Sequence, residues 1–173
     1  MLQMLEAGGL PILVDTERPA DVHNPRGYFE YAPVKALRRD ASWISEAHGR
    51  AIKVIHALLS ALPVGHSYRV ILMRRDPLEV VASQTAMLGG DEPAAPSPQR
   101  LAEIFTAQLD EVVAWVSGRP EFELLQADFG DAVERPRDVA VGVCKFLHRA
   151  LDVEAMAAVV DRSLYRQRGE DAV

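Results

Sequence analysis

Cysteine occurs once in the 173 residues, at Cys144, so the chain can close no internal disulfide and build no cysteine-based zinc cage. A lone cysteine fits a reducing compartment and reads as a small core residue. Long apolar runs are missing as well. None approaches the roughly 20 residues that a membrane-spanning helix needs, and Met1-Leu2-Gln3-Met4-Leu5-Glu6 lacks the basic start of a secretory leader. The expectation is a cytoplasmic protein with no membrane partner. Positive charge is scarce: 19 Lys and Arg face 25 Asp and Glu, and no basic tract extends beyond Arg38-Arg39 or Arg74-Arg75. A nucleic-acid backbone would be repelled by that balance. His23, His48, His66 and His148 are scattered without ligand spacing, so the sequence implies no metal. Internal repeats and low-complexity tracts are absent, and nothing in the pattern indicates an oligomeric state.

What is present is apolar content of 49%, enough at this length to bury one sizeable core, and the chain reads as a single domain over residues 1–173. Residues 1–5 carry a helical apolar pattern that Gly8-Gly9 would end. Four short apolar or β-branched runs read as strands: residues 10–14, 52–55, 68–73 and 122–127. Leu101, Ile104, Phe105, Leu109, Val112, Val113 and Val116 make a stripe at helical spacing that begins after Ser97-Pro98, a cap followed by proline in the first turn. A second amphipathic helix follows Pro136, and a third starts from an Asp152 cap. Strands alternating with helices imply an α/β fold of three layers, a mainly parallel sheet flanked by helices. Residues 88–98, with two glycines and three prolines, read as the one flexible loop.

The run 68–88 carries the chemistry. A buried strand leads into Arg74-Arg75 and then Asp76-Pro77-Leu78-Glu79, a cap, a first-turn proline and a third-position glutamate in the order of a capping box. Ligands of open α/β sheets gather at the carboxyl ends of strands, where an arginine presents a planar fork of donors to phosphate or sulfate. Ser83 lies six residues past Pro77, about 9 Å along a helix, within reach of the same anion. By pattern alone an arginine at a strand end is more often solvated or ion-paired, and a mid-helix serine is usually surface.

The run Arg69-Val-Ile-Leu-Met-Arg-Arg-Asp-Pro-Leu-Glu-Val-Val-Ala-Ser83 resembles the 3′-phosphate-binding segment of sulfotransferases, in which an apolar strand leads into Arg-[Asn/Asp]-Pro-x-[Asp/Glu]-Val and then a serine. Asn24-Pro25-Arg26-Gly27-Tyr28-Phe29-Glu30, the lysine strand ending at Leu62-Pro63, Arg135-Pro136 with Phe146-Leu147, and Ser163-Leu164-Tyr165-Arg166-Gln167-Arg168 are similar to bacterial sulfotransferase-like proteins, so the resemblance runs along essentially the whole chain. It implies a P-loop NTPase-like fold and a co-substrate, 3′-phosphoadenosine 5′-phosphosulfate, whose sulfuryl group passes to a hydroxyl or amine of a small-molecule acceptor that the sequence does not name. On the same resemblance Arg75 and Ser83 hold the 3′-phosphate, joined by Arg168. His56, seven residues before Pro63, falls near the place of the catalytic histidine, although the family reads Lys-[Thr/Ser]-His where this chain has Lys53-Val54-Ile55-His56. Histidine suits a base near neutral pH. A loop or core histidine fits the pattern too, and Lys53 reads either as an anion contact or as a strand lysine snorkelling to water.

Sulfotransferases of this kind also carry a first strand and a loop of the form Gly-x-Pro-[Arg/Lys]-Ser-Gly-[Thr/Ser], whose backbone N–H groups wrap the 5′-phosphosulfate. Residues 1–173 contain no such run, and residues 1–9 look like the helix that follows it. The expectation is an N-terminally incomplete domain with its first strand and phosphate loop missing: an enzyme whose upstream segment carries the loop, or a non-catalytic remnant that binds the 3′-phosphonucleotide or nothing. A kinase-like P-loop protein for small molecules is a third reading. Loss of a strand from mid-sheet would expose ladder edges, so a thermal midpoint below about 60 °C is expected.

Overall fold

The computed structural model describes residues 1–15, 17–21, 24–88 and 96–164. Its helices are α1 (Leu2–Ala7), α2 (Pro77–Leu88), α3 (Pro98–Ser117), α4 (Phe129–Glu134), α5 (Pro136–Leu147) and α6 (Val153–Ala158), and its strands are β1 (Tyr68–Arg74) and β2 (Phe122–Asp128). Helix starts follow their local chemistry. The Ser97 hydroxyl accepts from the Arg100 N–H ahead of α3, and the carboxylates of Asp128 and Asp152 accept from Asp131 and Ala155 at the heads of α4 and α6. The expected loop at 88–98 lies mostly outside the described residues.

β1 and β2 pair in parallel, with Tyr68 opposite Phe122 and Arg74 opposite Asp128. Parallel neighbours need a crossover, and α2 and α3 supply it. Alternation along the strands sets the two faces. On one face Tyr68 stacks on Phe122 at 4.9 Å, and Trp115 of α3 meets Phe122 edge-on at 5.2 Å. On the other, Ile71 and Leu125 rest on a core of Met4, Leu5, Leu10, Ala140, Val143, Leu147 and Met156, drawn from α1, α5 and α6. Arg69 shares this face and donates to the Leu147 carbonyl at the end of α5 (3.0 Å), where a cation suits the helix dipole. A second core of Leu13, Val34, Leu37 and Trp43 lies under short 3₁₀ turns at Ala32–Ala36, Ser42–Ala47 and His56–Ala61.

The architecture is mixed α/β with a two-stranded parallel sheet among the described residues, smaller than the four-stranded expectation. Residues 10–14 and 52–55 run extended but contribute one parallel bridge, Ile12 to Ala51, instead of a ladder. Ala51 nevertheless packs on the same core as Ile71 and Leu125, so two parallel pairs lie over one set of helices without joining. The consequence shows in β1. Val70, Ile71, Leu72 and Met73 are all only half-buried, and among the described residues one edge of β1 has no strand beside it. A strand this apolar belongs inside a sheet.

Gly8, which ends α1, is set by packing. A Cβ there would stand 2.6 Å from Met156 Cγ, 2.9 Å from Met156 Sδ and 3.2 Å from Leu151 Cβ. Gly8→Ala is expected to destabilise by about 1–3 kcal/mol, the usual cost of overpacking, read as a lower urea midpoint at unchanged slope. An unchanged or higher midpoint would mean that Met156 yields.

Candidate functional site

The site is built where both strands end. Past β1, Asp76 Oδ1 accepts from the N–H groups of Leu78 (2.8 Å) and Glu79 (3.2 Å), which fixes the first turn of α2. Past β2, Asp128 caps α4 and presents Phe129. Arg75 joins the two ends: its Nε donates to Glu79 Oε2 at 2.9 Å, and its guanidinium lies 4.9 Å from the centre of the Phe129 ring. Glu79 is 6% exposed and is the buried charged side chain of the described residues. The pair therefore sits in a medium where it holds the guanidinium plane firmly. Ser83 follows Glu79 by four residues, so the two share one face of α2, and Ser83 is half-buried. Arg74 points elsewhere, donating to Gln126 Oε1 (3.1 Å) with Asp110 at 3.9 Å.

His56 begins the turn His56–Ala61 instead of closing a strand. Its Nε2 lies 3.3 Å from Gln108 Oε1, and its ring meets Phe105 edge-on at 5.4 Å, so α3 holds it through two side chains. Lys53 is neither a loose snorkelling residue nor a bare cation: Nζ donates to the Tyr28 carbonyl (3.0 Å) and lies 3.5 Å from Glu30. Arg168 lies outside the described residues.

Glu30 is a feature that sequence reasoning passed over except as part of a resemblance. Arg18, Lys53 and Lys35 surround its carboxylate at 3.1, 3.5 and 3.6 Å. Partial burial pushes its pKa up, but the three cations outweigh burial and hold it below the ordinary value. Asp15 nearby is also lowered, first by the Ala32 N–H and then by the Glu17 N–H, both of which its carboxylate accepts. Groups lowered on folding stabilise the fold above the ordinary carboxylate range and lose that effect as pH falls through their folded values. The thermal midpoint is therefore expected to fall below about pH 4, and a flat profile from pH 7 to 3 would contradict this loop's electrostatics.

A surface hollow of about 430 Å³ lies apart from these groups, lined by Gln3, Glu6, Ala7, Arg26, Phe29, Ala158 and Val159. Its arginine is committed to the Val159 carbonyl and to Asp161 (3.1 Å). Among the described residues no three His, Cys, Asp or Glu side chains gather as a metal site, and no helix is long and apolar enough to cross a membrane. Compared with known proteins, the chain matches no family model, no curated protein and no solved structure.

Proposed function

We propose that this chain is a sulfotransferase-type nucleotide-binding domain in which Arg75 and Ser83 hold the 3′-phosphate of 3′-phosphoadenosine 5′-phosphosulfate. The observation that carries the reading is Arg75 itself. It stands at the carboxyl end of a parallel strand, oriented by Glu79 and backed by Phe129, on the side of α2 that carries Ser83. The planar guanidinium is a fork of N–H donors of the kind that grips a phosphate. P-loop-like proportions follow as part of the same proposal, with an additional strand beside the open edge of β1.

Transfer of the sulfuryl group to a small-molecule hydroxyl or amine is the activity that goes with this reading, with His56 as the base that takes the acceptor proton. Its support is the placement of the ring, which Gln108 at 3.3 Å and the edge-on contact with Phe105 hold against α3. A domain that binds the 3′-phosphonucleotide without catalysis is the second reading. A nucleoside triphosphate kinase-like protein is the third.

Calorimetric titration separates the first two readings from the kinase-like one. Adenosine 3′,5′-bisphosphate is expected to bind roughly tenfold or more tightly than ATP, a difference of about 1.4 kcal/mol or more. Tighter ATP binding would favour the kinase-like reading, and binding of neither would remove the proposed site.

A further inference from the structure

Two histidines 18 residues apart in sequence meet in space: His48 Nε2 lies 3.1 Å from His66 Nδ1, with ring centres 5.2 Å apart. His48 closes the turn Ser42–Ala47 and is followed by Gly49 at φ +71, while His66 follows Gly65 at φ +87. Left-handed backbone at both glycines bends the two loops toward each other. Sequence spacing gave no sign of this pairing, because neither histidine shares an element with the other.

We propose that His48 and His66 form a two-imidazole site for a borderline divalent transition metal, with water completing the coordination. Imidazole nitrogens bind such ions at about 2.0–2.1 Å, so a separation of 3.1 Å corresponds to an angle of about 100° at the metal, between the square and tetrahedral values. The ion displaces the hydrogen bond between the rings: the donor ring carries its N–H on its other nitrogen, and each imidazole turns so that its lone pair meets the metal off the N···N line. Both histidines border solvent, which gives an ion access. The Arg149 guanidinium lies beside Gly49, so attraction for positive charge alone is weak there and bond strength decides the ligand. Cu²⁺ is favoured over Zn²⁺, and a hard oxygen-seeking ion such as Mg²⁺ is excluded.

Titrating the intact chain with Cu²⁺, by calorimetry and electron paramagnetic resonance in a non-coordinating buffer, tests the site. The expected result is one site per chain with two nitrogen ligands. His48→Ala and His66→Ala should each weaken binding by roughly tenfold or more, one imidazole bond being lost, while His148→Ala leaves it unchanged. Circular dichroism of these exposed-site variants checks that the fold is intact. The proposal is overturned if either single variant keeps the parental affinity, or if His148→Ala costs as much.

Discussion

Replacing Arg75 with alanine is expected to weaken binding of adenosine 3′,5′-bisphosphate by roughly 10- to 100-fold, the loss of charge-assisted hydrogen bonds worth about 1.5–3 kcal/mol. The same change should lower stability, because Glu79, at 6% exposure, loses the cation that lies 2.9 Å away. Breaking a buried pair costs about 3–5 kcal/mol, and the partial exposure of Arg75 places this one near the lower end. The two effects separate in a double variant. Arg75→Ala with Glu79→Gln removes the buried carboxylate charge as well, so part of the stability should return while binding stays weak. Recovery of binding together with stability would show that Arg75 acts only through the fold.

Met156→Ala should produce the largest loss of stability. The side chain is fully buried, abuts Gly8, and its Sδ lies 3.9 Å from Cys144 Sγ, so it ties α1, α5 and α6 together. Truncating a buried methionine costs about 2–5 kcal/mol, or a fall in thermal midpoint of roughly 5–20 °C for a domain of this size. With no strand beside one edge of β1 among the described residues, little reserve is expected above that loss. The variant also has a signature: Gly8→Ala, which clashes with Met156 in the parent, should lose most of its cost in the Met156→Ala background. Additive losses would contradict the packing described between α1 and α6.

Helices were readable because their signals are local. Ser97-Pro98, Pro136 and Asp152 mark starts that the structure keeps, and the apolar stripe of α3 places Leu109 and Val116 inside. Strands were readable only in part. Residues 68–73 and 122–127 became β1 and β2, whereas residues 10–14 and 52–55 have strand-like composition but share one bridge, since a ladder depends on neighbours that no local pattern names. The chemistry divides in the same way. Arg75 and its helix start lie within a dozen residues and could be read directly. Phe129 under Arg75, Gln108 beside His56 and Glu30 beside Lys53 are 54, 52 and 23 residues away from their partners, and tertiary packing alone brings them together.

The role proposed for Arg75 is to read a 3′-phosphate. The most direct measurement compares the affinity of adenosine 3′,5′-bisphosphate with that of adenosine 5′-monophosphate, in the parent chain and in Arg75→Ala/Glu79→Gln. The 3′-phosphate is expected to improve parental binding by roughly tenfold or more and to bring little gain in the variant. Equal affinities in the parent, or the same gain in both proteins, would contradict it.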